Sequence, residues 1–459
     1  MSKPVAILSH RLYVPSEYVT EKMLRAFTRR IFINKQTCNE CGNDDPAACR
    51  GCRFEPTVLR FYKEHGGGWH SFASGDLGKL YEVFNGFTIE DNRAEVPLTI
   101  DLKWGNKKLW PNQRDTVREW MEYKYGTIKS APRSGKTVMF ARIACKLKQK
   151  VLIVAKQREW LDQFIVAFRD FTNISELEAA DKKTYIGWIK KWSDINSLQI
   201  AVVTYQKFIR HPEIVKKYRD AFGVVFVDEC DQAAAKCFHK VVNGFSAKYR
   251  FGATGTDKRK DQLHVIANHI LGPVTVKGKS KQLPCAVTYH YTGYKVGKFA
   301  QWTTYINRIT KDRKRTDFIL DRVKRDVALG RWVVLVTDRV AHAQLMTRLL
   351  QNDDIEAETF WGGMKNRKEL FAKAKRGEIR VVVAIRKLIQ RGIDVTWWDS
   401  IHIGTPTANV HNYTQEVARI RTPYEGKPMP TIHFYLDVGA VAHAVKAIAE
   451  RVHSQARES

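Results

Sequence analysis

Five short apolar runs, VLIVAK at Val151, IAVVTY at Ile200, VVFVDE at Val224, VVLVT at Val333 and VVVAI at Val381, recur along the chain after Gly126, separated by amphipathic stretches long enough for helices. Runs that are apolar at nearly every position suit strands covered on both faces, so the pattern predicts parallel sheets between layers of helices. Several runs end in polar residues, at the edge where open α/β sheets bind ligands. The polar segment from Gly272 to Gly297 divides this region into comparable halves, and two α/β domains are expected, over 106–285 and 286–459. Residues 1–105 lack the alternation and carry a cysteine cluster and a GGGWH turn at Gly66; a separate small accessory domain is expected there. A length of 459 residues also exceeds what one hydrophobic core organises.

Charge narrows the partners. A formal net charge of +29 exceeds what solubility needs and points to a polyanion, nucleic acid before an acidic membrane. The N-terminus MSKPVAILSH has no long apolar signal segment, and no apolar run approaches the ~20 residues of a membrane span, so a cytoplasmic protein is expected, in the host cytoplasm if phage-encoded.

SAPRSGKT, Ser130 to Thr137, follows an extended stretch and precedes the helical pattern VMFARIACKLK, the strand–loop–helix setting of a phosphate-binding loop. Backbone N–H groups of Ser134 and Gly135 at the helix start, aided by the helix dipole, can hold phosphate oxygens. Lys136 is expected to reach the β- and γ-phosphates of ATP and Thr137 to ligate Mg²⁺. Ser130, where glycine is common, and Arg133 depart from the usual pattern. VVFVDECD then places Asp228 and Glu229 at the end of an apolar run: Asp228 can hold Mg²⁺ through water, and Glu229 can orient and deprotonate the attacking water.

At this point DECD resembles the DExD/H box of the superfamily 2 helicases, and further motifs follow in the family's order. The resemblance implies two RecA-like domains in tandem. It implies that Gln113, in LWPNQRD, reads adenine. VLIVAKQREWLDQF and TYQKF at Thr204 resemble motifs Ia and Ib, which touch the nucleic-acid backbone, and FGATGT with Thr254 and Thr256 resembles motif III, which links hydrolysis to domain movement. VVLVTDR resembles motif IV, and VVVAIRKLIQRGIDV, ending in Asp394, resembles motif V, with Ile385 where threonine is usual. QEVARIRTPYEGK resembles motif VI: Gln415 and Arg419 match in spacing and are expected to face the nucleotide, whereas the family's second arginine position holds Thr422, with Arg421 one residue early. Either Arg419 or Arg421 can be the cation that stabilises charge on the γ-phosphate.

CNECGNDDPAACRGC contributes two C-x₂-C pairs, Cys38 with Cys41 and Cys49 with Cys52, the ligand set of a structural zinc; an iron–sulfur cluster uses the same thiolates. Basic residues around it, Arg25, Arg29, Arg30, Lys35, Arg50 and Arg53, suit phosphate contacts. The motor with its separate N-terminal domain is similar to the recombination and repair branch of the superfamily, including phage-type branch-migration helicases akin to RecG and UvsW. The resulting expectation is a monomeric, ATP-dependent DNA helicase acting on forked or branched DNA. Alternatives are a duplex translocase that does not separate strands and an ATP-switched clamp or remodelling factor.

Overall fold

The structure, a computed structural model, describes residues 3–31, 57–130, 134–230, 241–255, 264–278, 282–295, 302–364, 366–390, 395–407 and 410–438, with Lys446 and Glu450. Cys38, Cys41, Cys49, Cys52, Thr256 and Asp394 lie outside the described residues. The chain divides into two compact units, Met1–Lys279 and Ser280–Ser459. Each contains one wholly parallel sheet.

In the first unit seven strands lie in the order Ile186–Trp188, Ile200–Thr204, Val151–Ala155, Val224–Val227, Tyr249–Thr254, Tyr125–Ser130 and Val274–Gly278. All five residues of VLIVA and all four of VVFV are buried. Val151, Ile153 and Ala155 pack into one core and Leu152 and Val154 into another, so helices must cover both faces. On the first face the helix Lys136–Leu147 sets Phe140 over Phe226, their ring centroids 3.6 Å apart. Each such fully buried side chain contributes roughly 1.5–3 kcal/mol of transfer free energy. In the second unit the order is Ala286–Lys295, Thr431–Val438, Ser400–Ile403, Val333–Thr337, Val381–Ile385 and Ala357–Phe360.

Ahead of the first parallel sheet is a mostly antiparallel one, ordered Tyr62–His65, Trp69–Ala73, Arg11–Pro15, Val5–Leu8 and Thr88–Asp91. Its period-two burial, Ala6 and Leu8, then Leu12 and Val14, is present in the sequence but spans too few residues to stand out. A two-stranded hairpin, Thr28–Ile31 with Thr57–Arg60, brackets the cysteine segment.

This N-terminal sheet packs within the first unit. Arg250, on the strand Tyr249–Thr254 and 4% exposed, donates to the Phe245 carbonyl at 2.6 Å, the His10 carbonyl at 3.1 Å and Ser74 Oγ at 3.2 Å. Gly75 lies against the backbone of the helix His264–Leu271, where a Cβ would come within 2.1 Å of the Ile270 carbonyl carbon. Its N–H donates to the His269 carbonyl at 3.1 Å, and the His269 ring stacks on Phe61. Among the described residues no helix is long and apolar enough to cross a membrane.

Candidate nucleotide site and motif VI region

The strand Tyr125–Ser130 leads into the phosphate loop, and the helix Lys136–Leu147 leaves it. Gly135 is the residue before that helix and has φ 81°, a left-handed conformation that favours glycine. A Cβ there would also meet Gln113 Nε2 at 2.3 Å. Ser130 and Ser134 are both buried, with their hydroxyls 2.6 Å apart. Ser130, at the place usually held by glycine, therefore braces the loop from inside.

Gln113 takes a local role that its spacing did not reveal. It is 6% exposed; its Oε1 accepts from the Trp110 N–H at 3.1 Å, and its Nε2 donates to the Ser134 carbonyl at 3.1 Å. The side chain thus closes the first turn of the helix Pro111–Tyr123 and ties that turn to the phosphate loop.

The acidic pair follows the strand Val224–Val227. The Asp228 N–H still donates across the sheet to the Val154 carbonyl at 3.1 Å. The chain then turns at Glu229, which has φ 48°, and Asp228 Oδ1 accepts the Glu229 N–H at 3.0 Å. A non-glycine residue held left-handed stores on the order of 1–2 kcal/mol and is a recurrent feature of functional sites. Lys136 Nζ lies 3.4 Å from Glu229 Oε1 and 3.5 Å from the Ser130 carbonyl oxygen. The lysine and glutamate side chains are 11% and 14% exposed.

The Glu229 Oε2 atom is buried and has no hydrogen-bond partner among the described residues. An unsatisfied buried oxygen is unfavourable by about 1–3 kcal/mol, and a water or the hydration shell of Mg²⁺ would satisfy it. The donor set of Thr137, Asp228 and Glu229 is the hard-oxygen type that Mg²⁺ takes, so these residues fit the metal and the nucleotide.

Thr254 ends the strand between the two halves of this cluster and is 2% exposed, in register with Lys129. Thr204 ends its own strand on the same edge, opposite Ala155 and away from the Lys136–Glu229 pair. The structure therefore gathers Gln113, Ser134, Gly135, Lys136, Asp228, Glu229 and Thr254 around one edge and leaves Thr204 further along it.

In the second unit Gln415 lies on the helix Val410–Val417 and Arg419 in the turn after it; both are half-buried. Arg421 is 3% exposed, and its Nε donates to the Leu283 carbonyl at 2.7 Å while the Leu283 N–H donates back to the Arg421 carbonyl at 2.9 Å. Arg386, which the sequence did not single out, is 4% exposed and bonds to Asp338 and Glu416 at 3.0 and 2.6 Å, and to the Thr405 carbonyl.

Among the described residues one group of metal-type donors comes together, Asp326, His402 and His433, within 4.8 Å of one another. The two imidazoles stack with centroids 4.2 Å and planes 8° apart, so their in-plane lone pairs run side by side and do not converge on an ion. Protons close the contacts instead. Asp326 Oδ2 accepts from Ser400 and lies 3.1 Å from His402 Nε2; His402 Nδ1 meets the Tyr435 hydroxyl at 2.7 Å, and His433 Nδ1 meets His290 Nε2 at 2.9 Å. His433 Nε2 is also 3.1 Å from Asp326 Oδ2.

Burial holds His402 down to about 4 despite Asp326, and burial assisted by Arg315 does the same to His342. Burial with nearby cations takes His10 and His269 down to about 3. Each stays neutral when folded but takes up a proton below 6.5 when unfolded, so stability falls as pH drops from 6.5 towards 4. Each full proton difference contributes about 1.4 kcal/mol per pH unit. Asp399, raised by burial, opposes them as a single group. The melting temperature is expected to drop by several degrees between pH 7.5 and 5.0 at constant ionic strength; a flat profile would sink the neutral-histidine assignment.

Comparison with known proteins gives one family match within each compact unit. Residues 106–259 match the family described as type III restriction enzyme, res subunit, and residues 316–422 match the helicase conserved C-terminal domain. A protein of Acanthamoeba polyphaga mimivirus, whose name proposes an ATP-dependent RNA helicase, is 23% identical over 322 residues, covering 66% of this chain and 59% of the relative. A protein of Escherichia phage T5 named as a helicase is 23% identical over 315 residues, covering 66% of each. The chain thus spans less than two thirds of the length of either relative. The Pyrococcus furiosus Hef helicase domain shares the fold, with a TM-score of 0.51 at 12% identity over 74% of this chain and 99% of that domain. With the restriction-enzyme-type ATPase segment followed by the helicase C-terminal segment, over the two parallel sheets described above, the chain belongs to superfamily 2 of the helicases.

Proposed function

We propose that the protein is an ATP-dependent DNA helicase or translocase that remodels forked or branched DNA in recombination, repair or replication. The observation that carries the ATPase part is the half-buried Lys136–Glu229 pair, 3.4 Å apart, with Glu229 Oε2 given no hydrogen-bond partner among the described residues and open to a water. In this reading Lys136 and the N–H groups of Ser134 and Gly135 bind the phosphates, Thr137 and Asp228 hold Mg²⁺, and Glu229 takes the proton of the attacking water. When bound, Mg²⁺·ATP supplies the phosphoanhydride that is cleaved. Gln113 contributes to adenine selection beside its structural bonds, and Asp394 belongs to the nucleotide-responsive set. Thr204, Thr254 and Thr256 act in strand contact and coupling.

Arg419 is the proposed γ-phosphate cation, with Gln415 beside it. The burial of Arg421 and its bond to Leu283 support a structural role for that residue. DNA is preferred to RNA because the motif set resembles the recombination branch, and the net charge of +29 suits either polyanion.

We propose a functional division into 1–105, 106–285 and 286–459, with zinc at Cys38, Cys41, Cys49 and Cys52. Two C-x₂-C pairs support the metal, and one zinc atom per chain by emission spectrometry would test it. The function is tested by ATPase stimulation and strand separation on single strands, duplexes, forks, four-way junctions and RNA. Activity selective for forks and junctions is expected. Duplex-stimulated hydrolysis without strand separation would indicate the translocase instead, and preference for RNA would overturn the DNA assignment.

A further inference from the structure

The second unit contains an ion-pair network that joins three separate motif segments through one side chain. Arg386 stands directly after the strand Val381–Ile385, Asp338 directly after Val333–Thr337, and Glu416 on the helix that carries Gln415. Arg386 Nε donates to Asp338 Oδ1 at 3.0 Å, and its Nη1 lies 2.6 Å from both Glu416 carboxylate oxygens. Its Nη2 donates to the Thr405 carbonyl, while the Thr405 hydroxyl donates to Asp338 Oδ2 at 2.9 Å. Glu416 is fully buried, and its backbone carbonyl accepts the Arg419 N–H at 3.1 Å.

Two properties separate this network from ordinary packing. A buried ion pair contributes little net stability compared with an apolar pair of similar volume, because desolvation opposes the attraction; it does fix direction and register. The guanidinium is a planar fork, so three acceptors on three segments define its plane and with it the rotation of the Glu416 helix. Gln415 is the covalent neighbour of Glu416, and Arg419 is bonded to the Glu416 carbonyl, so both inherit that orientation.

We infer that Arg386 is a positioning residue for motif VI: through Glu416 it sets where Gln415 and Arg419 stand, and thereby how well Arg419 stabilises the transition state of hydrolysis. The inference rests on the proposed role of Arg419.

The test uses the full chain with saturating forked DNA and compares Arg386→Gln, Arg386→Lys, Glu416→Gln, Arg419→Ala and the Arg386→Gln/Arg419→Ala double variant. A displacement of about 1 Å in a charge-stabilising group can lower rate by about 10²-fold, so Arg386→Gln and Glu416→Gln are each expected to lower kcat by roughly 10- to 100-fold. KM for ATP and affinity for ADP should stay within about threefold, whereas affinity for ADP with aluminium fluoride should fall in parallel with kcat. Arg386→Lys should recover part of the loss. Adding Arg386→Gln to Arg419→Ala should lower kcat little further, since Arg386 acts through Arg419.

Wild-type kcat in Glu416→Gln, or fully additive losses in the double variant, would overturn the inference. Should Arg386→Gln fail to fold by thermal melting, the isosteric Glu416→Gln decides alone. Arg419→Ala distinguishes the two levels: wild-type kcat there refutes the role of Arg419 itself. Impaired Arg419→Ala beside normal Glu416→Gln refutes only the positioning role.

Discussion

Glu229→Gln is expected to lower ATP turnover by about 10²- to 10⁴-fold while leaving ATP and DNA binding intact, because a general base contributes an effect of that size. The substitution is close to isosteric, so the left-handed backbone at φ 48° and the Asp228 Oδ1 contact have no reason to move. It removes the charge facing Lys136 at 3.4 Å, and it replaces one carboxylate oxygen by an amide nitrogen that cannot accept a proton. Single-turnover hydrolysis together with equilibrium nucleotide binding checks both halves. Wild-type turnover would remove Glu229 from the chemistry; lost binding would mean that the carboxylate organises the phosphate loop.

Lys136→Ala should fail at an earlier step. A charge-assisted contact to phosphate contributes about 1.5–3 kcal/mol, so nucleotide affinity is expected to fall at least about tenfold, with hydrolysis falling further through lost stabilisation of the transferring phosphoryl group. Without the lysine, Glu229 also loses the cation in front of it at a site where the side chain is only 14% exposed, which works against a phosphate entering the loop. Titration with a fluorescent ATP analogue checks the prediction. Unchanged affinity and turnover would exclude the loop as the phosphate site. Weakened binding in Lys136→Ala with retained binding in Glu229→Gln would separate the binding role from the catalytic one.

The parallel sheets were legible because continuous apolar strands such as VVFV and VVLVT belong to a strand buried on both faces, a property of few architectures. The candidate phosphate loop was legible because its pattern is local: Ser134, Gly135, Lys136 and Thr137 lie within one strand-to-helix turn. The N-terminal sheet was less legible. Its strands are four or five residues long, and their alternation is interrupted by polar turns.

Three residues were visible as motif members while their surroundings were not. Gln113 stood at the helicase spacing, yet its bonds to Trp110 and Ser134 depend on how two helix starts meet. Arg419 and Arg421 look equivalent in a basic segment. Only packing beside Leu283 distinguishes them, by burying Arg421 fully and leaving Arg419 half-buried.

Sequence by itself pointed to the family, to the two parallel-sheet domains and to Lys136, Asp228 and Glu229 as candidate nucleotide residues, because each rests on short motifs or on the periodicity of single strands. Tertiary structure alone decided which distant polar groups share a buried space: Arg386 with Asp338, Thr405 and Glu416, Asp326 with His402, and Arg250 with His10 and Ser74. The physical reason is that a buried charge requires partners, and chain topology brings those partners from segments far apart in sequence, where no local pattern records the pairing.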